Sequence, residues 1–137
     1  MTPVLLDTGC IVALLDSSEE HHELCSSVVA EIEAPLLTCE PVIAEACYLL
    51  RDTKGAATAV LENVRQNVFL LPFRLVDNIA ELAGLMKKYS NVPMSLADAC
   101  LVAMANQLQT GKILTLDRDF KIYRWGRNRH FDLLLEI

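Results

Sequence analysis

Apolar and polar positions alternate in blocks along this chain rather than residue by residue. Val4–Leu6, an extended piece around Leu36–Thr38, Val68–Leu71 and Ile113–Leu116 are short and almost wholly uncharged, the pattern of strands covered on both faces. Between them apolar residues recur at helical spacing. Gly9–Asp16 reads as a packed helix and Glu20–Ile32 as an amphipathic one, through Leu24, Val28 and Ile32. Pro41 suits the first turn of a helix running to about Asp52, where its missing N–H goes unneeded. A helix near Ala56–Asn67 leads into the strand at Val68. Asp77 can cap a helix reaching about Tyr89, and Ser95 another from Leu96 to Thr110 that Gly111 would terminate. Asp132–Glu136 supplies an edge strand. Strands separated by helices predict an α/β fold in three α/β/α layers, with a central, mostly parallel sheet flanked by helices.

Composition narrows the setting. With 137 residues, 53% hydrophobic and 22% charged, the chain can bury a substantial core. It shows no linker, low-complexity segment or repeat, so residues 1–137 are expected to form a single domain. No apolar run approaches the ~18 residues that span a bilayer, and the first residues lack the basic stretch of a secretory signal. A cytoplasmic protein without membrane contact is the expectation. The five cysteines are odd in number and form no C-x-x-C pair, which suits small buried hydrophobes in a reducing compartment. The net charge of −6 argues against general attraction to nucleic acid. Residues 1–50 hold nine acids and no Lys or Arg, whereas Lys112, Arg118, Lys121, Arg124, Arg127 and Arg129 gather half of the 12 basic residues into one short stretch.

Four acids interrupt apolar sequence: Asp7 in VLLDTG, Glu45 in PVIAEACYLL, Asp98 in SLADACLVAMA and Asp117 in ILTLDRDF. Each has a local explanation. Asp7 can cap the helix that follows, Glu45 can complement a helix dipole, Asp98 stands at capping-box spacing from Ser95, and Asp117 can form an Asx-turn. Those explanations are independent, yet all four acids fall at element ends beside residues that must be buried. Charge at a core edge is costly unless compensated. Three chemistries accommodate such an Asp7: an aspartic protease using Asp-Thr-Gly, a phosphatase-type nucleophile at a strand end, and a ligand for a divalent ion. Parallel sheets collect ligands outside the carboxyl ends of their strands, and Asp7 and Asp117 each follow a strand. Converging carboxylates would repel one another unless Mg²⁺ or Mn²⁺ neutralised them, an arrangement suited to phosphodiester hydrolysis.

The ordered set LLDTG, PVIAEACYLLR, MSLADACLVAMA and ILTLDRDF resembles the PIN-domain ribonucleases, of the VapC-like kind that serve as toxins in toxin–antitoxin pairs, over essentially the whole chain. The resemblance implies a PIN-like fold and a Mg²⁺- or Mn²⁺-dependent endoribonuclease. It carries Asp7 and Asp98 over as the principal metal ligands. Glu45 and Asp117 would complete the cluster, holding a second ion or orienting the attacking water, with Asp119 assisting. Thr8 and Thr115 would lend hydroxyls. A homodimer and a small antitoxin partner are expected on the same ground. Gly9 stands where many relatives carry Asn or Ser. The tail KIYRWGRNRHF is more basic than the resemblance leads one to expect: Lys121, Arg124 and Arg127, with Arg118 just before them, would neutralise RNA phosphates, with Trp125 or Tyr123 as a stacking surface, or the segment is a solvated one that completes the sheet and balances an acidic body. Two rivals stand beside this reading. A haloacid-dehalogenase-like phosphatase would need a second Asp two residues after Asp7, where Gly9 stands. An interaction module would keep the fold without catalysis.

Overall fold

The computed structural model describes residues 1–136. Five strands form one wholly parallel sheet in the order β3-β2-β1-β4-β7. They are β1 (Val4–Leu6), β2 (Leu36–Leu37), β3 (Phe69–Leu70), β4 (Lys112–Leu114) and β7 (Asp132–Leu133). Leu5 pairs with Leu37 on one side and Ile113 on the other. β1 through β4 carry few polar side chains because helices cover the sheet: Val4, Leu5, Leu6, Leu36, Leu37, Ile113 and Leu114 are all buried. The helices are α1 (Thr8–Leu15), α2 (His22–Glu31), α3 (Glu40–Leu49), α4 (Ala56–Arg65), α5 (Ile79–Lys88) and α6 (Leu96–Leu108). α1 packs against α2, α3 and α4, while α6 packs against α5 and α3. Every residue of α6 from Ala97 to Ala105 is buried. Its alanines let neighbouring backbones approach closely, and burial begins at Ala97 and Asp98, behind an exposed Ser95 and Leu96.

The predicted elements are present, most of them with shorter bounds, while β1 keeps its predicted span and α1 begins one residue earlier. Three local expectations change. Asp77 does not cap α5. It lies in a 3₁₀ turn over Leu75–Asn78, where its carboxylate accepts a 2.8 Å hydrogen bond from Arg74 Nε, and Asn78 takes the cap position. Gly111 does not end α6. Gln109 does, at φ +53°, and its backbone N–H bonds Ala105 O. Gly111 is instead set against an indole: a Cβ there would clash with Trp125 Nε1. The basic tail also differs from a simple continuation of the sheet. A 3₁₀ turn over Arg118–Lys121 leads to a separate antiparallel hairpin, β5 (Arg124–Trp125) and β6 (Arg129–His130), before β7 joins the sheet edge.

Candidate functional site

Strand order reverses about β1, whose neighbours are β2 on one side and β4 on the other. Crevices at such a reversal, outside the strand ends, are where open parallel sheets bind ligands. Here the crevice is a cleft of about 420 Å³ whose walls include Asp7, Thr8, Glu45, Asp98, Asp117 and Asp119. The fold thus brings all five sequence-predicted acids to one place. It brings three of them closest: Asp7, Asp98 and Asp117 each offer a carboxylate oxygen within 4.8 Å of the others. Glu45, exposed on α3, and Asp119 stand on the cleft walls outside that group.

Each member is held by its own local structure. Asp7 is the N-cap of α1, its Oδ1 accepting from Thr8 N at 2.8 Å. Its Oδ2 accepts from Thr115 Oγ1 at 2.6 Å, and Thr115 Oγ1 in turn accepts from Asp117 N at 3.0 Å. Asp117 Oδ1 closes an Asx-turn on Asp119 N at 2.9 Å. Asp98 stands in the first turn of α6, where its N–H bonds the Ser95 cap at 3.0 Å. The local roles read from the sequence therefore coexist with convergence: capping and turn formation are the means by which the carboxylates are aimed.

Tyr123 has a role in the cleft that sequence reasoning did not assign to it. Its hydroxyl donates to Asp98 Oδ2 at 2.7 Å, and its ring is fully buried in edge-to-face contact with Tyr89 and Phe120. The expected stacking surface for RNA is thereby corrected. Tyr123 is committed to Asp98, while Trp125 lies buried over Gly111 with its N–H donated to His130 O. Aromatic residues among basic ones read alike whether they face a base or the core.

The cationic expectations divide. Arg118 and Lys121 line a second cavity that shares Leu116 and Asp117 with the acid cleft. Arg124 is spent on its own turn, donating from Nη1 to the carbonyls of Lys121, Ile122 and Tyr123. Arg127 lies on the hairpin, which docks through Gly126 N on Asn106 Oδ1. Asn106 is two turns along α6 from Asp98, about 12 Å at 1.5 Å per residue, so Arg127 is carried to the far end of that helix.

Electrostatics favour a cation in the cleft. Burial, opposed by the Thr115 and Thr8 hydrogen bonds, pushes the Asp7 carboxyl up to about 7. Burial also raises Asp98, against the lowering effect of Tyr123, and the neighbouring Asp117 adds to the rise. Asp119 is raised by desolvation and by Asp117. Among the described residues no ion pair touches any of these acids. Thr8 Oγ1, buried at the cleft, has no hydrogen-bond partner among the described residues. An all-oxygen donor set, mutual repulsion and an orphaned hydroxyl fit a hard divalent ion.

Such a molecule falls in the class of α/β domains with a carboxylate cleft at the carboxyl edge of a parallel sheet. The family model described as PIN domain matches residues 4–126, a span that contains every acid of the cleft. The chain belongs to the PIN domain family. It is similar to Ribonuclease VapC26 of Mycobacterium tuberculosis (strain ATCC 25618 / H37Rv), 29% identical over 136 residues that cover 98% of this chain and 93% of that protein. Its fold is similar to the crystal structure of Mycobacterium tuberculosis VapC20, described as a sarcin-ricin loop cleaving toxin, with a TM-score of 0.81 and 20% identity over 92% of this chain and 98% of that one.

Proposed function

We propose that this chain is an endoribonuclease that hydrolyses RNA phosphodiesters with Mg²⁺ or Mn²⁺, and that it is the toxin of a toxin–antitoxin pair. The observation that carries the reading is the grouping of Asp7, Asp98 and Asp117 within 4.8 Å with no ion pair among the described residues. The similarity to Ribonuclease VapC26 supports RNA as the substrate. Asp7, Asp98 and Asp117 would hold the ion, and Glu45 and Asp119, on the cleft walls outside that group, would hold a second ion or orient the attacking water. A bound divalent ion would polarise a phosphoryl oxygen and lower the pKa of a water. Asp7, carrying its proton near neutrality, must release it to become a ligand, so ion affinity should rise with pH. Thr115 and Tyr123 keep Asp7 and Asp98 from rotating out of register.

Exposed Tyr48 and Leu49 at the end of α3, with Leu96 at the start of α6, suit cover by protein, either a second copy or a small antitoxin. Among the described residues no helix is long and apolar enough to cross a membrane, and the five free cysteines fit the cytoplasm. The test is RNA cleavage with Mn²⁺ by wild type and Asp98→Asn. Cleavage by wild type that EDTA abolishes, and a loss of at least 10²-fold in Asp98→Asn, supports the proposal. Equal background from both proteins would make the fold an interaction module instead.

A further inference from the structure

The cavity beside the acid cleft has features the hydrolytic reading does not use. It encloses about 260 Å³ between the segments that leave β4 and β7. Its floor is apolar, from Leu116, Leu133 and Leu135, and its rim carries Arg118 and Lys121. Both cations are exposed, and among the described residues neither side chain makes a hydrogen bond or ion pair, although Asp117 and Glu136 line the same cavity. Arg124, close by in sequence, is by contrast held through Nη1 on three backbone carbonyls. Leu116 and Asp117 form the wall common to cavity and cleft. A strand crossing the cleft with one phosphate among the acids thus meets this cavity next.

We propose that this cavity is a nucleotide subsite, in which the leucine floor takes an unpaired base neighbouring the scissile phosphate and Arg118 and Lys121 take that nucleotide's own phosphate. The inference rests on the ribonuclease reading for its orientation, and it deepens that reading by requiring a single-stranded, splayed substrate at this position. Splayed bases are commonly held between apolar or aromatic side chains. The two rim cations supply, beside the acids, the phosphate attraction that a chain of net charge −6 otherwise lacks.

The experiment is an NMR titration of the full-length, ¹⁵N-labelled protein with each of the four ribonucleoside 5′-monophosphates, in EDTA, with inorganic phosphate as a parallel titrant. At least one nucleotide should shift the amides of Leu116, Arg118, Lys121, Leu133 and Leu135 together. Arg118→Ala/Lys121→Ala, two exposed changes that leave the core intact, should weaken that binding about tenfold, and Leu133→Phe should weaken it by filling the floor. Shifts from inorganic phosphate equal to those from every nucleotide would reduce the cavity to an anion site and overturn the proposal. So would the absence of nucleotide shifts there, including the case in which a protein segment is the true occupant. RNA cleavage by the same wild-type sample separates the two readings: cleavage without nucleotide shifts removes only the subsite, and nucleotide shifts without cleavage remove only the nuclease.

Discussion

Replacing Asp7 by Asn should stabilise the metal-free protein above neutral pH while leaving it little changed, or slightly weaker, in acid. The carboxyl rises from 3.8 to about 7 on folding, chiefly because burial leaves it almost without water. Between those two values the unfolded chain binds fewer protons than the folded one, so stability falls as pH rises. A displacement of about three units corresponds to about 4 kcal/mol, at 1.36 kcal/mol each. Asn matches Asp as an N-cap and so preserves the start of α1. It weakens the Thr115 hydrogen bond, at a cost of about 1 kcal/mol. The substitution should therefore be worth about −1 kcal/mol at pH 4 and about +3 kcal/mol at pH 8.5. Urea denaturation followed by circular dichroism, in EDTA, at several pH values would measure the difference between the two proteins and cancel the acids they share. Parallel pH profiles for wild type and Asp7→Asn would refute the reasoning, because they would show that Asp7 ionises in the folded chain as easily as in water.

Other consequences can be checked separately. Mn²⁺ at about a hundredfold above its dissociation constant should raise wild-type stability by about 2.7 kcal/mol, and should do much less for Asp7→Asn; equal stabilisation of both in thermal melts would place the ion elsewhere. Tyr123→Phe keeps the buried ring and removes the 2.7 Å bond to Asp98 Oδ2, so the Mn²⁺ concentration for half-maximal RNA cleavage should rise several-fold while the melting temperature moves little; an unchanged Mn²⁺ requirement would leave Tyr123 with packing alone. Gly111→Ala forces a methyl into the Trp125 indole and should cost about 1–3 kcal/mol in urea denaturation; a loss below a few tenths would show that the indole moves aside freely.

Much of this arrangement is legible in the chain because burial and local capping leave strong marks. Val4–Leu6 and the run Ile113–Leu116 are short and uncharged, and an acid directly after each identifies the strand end that faces the cleft. Ser95 and Asp98 announce the start of α6 by their spacing. What the chain conceals depends on distance. The bond between Tyr123 and Asp98 joins positions 25 apart with no periodic signal between them. Gly111 is a glycine for a tertiary reason, the indole of Trp125, that resembles a helix stop when only its neighbours are seen. Asp77 was a plausible cap whose carboxylate found Arg74 first. The two-residue strands of the hairpin are too short for alternation to show. The basic tail mixed three roles, free rim cations, a turn clasp and a distal hairpin, that identical side-chain chemistry cannot separate.

The dependence of Asp98 on Tyr123 also extends the vulnerable part of the gene past its acidic codons. A chain cut just after Asp119 would keep each carboxylate yet lose the phenol that steadies one of them and the aromatic cluster of Tyr89, Phe120, Tyr123 and Phe131. If the product harms its host, survivors should therefore include frameshifts and stop codons between positions 120 and 123, lesions that a survey confined to the acids would score as harmless.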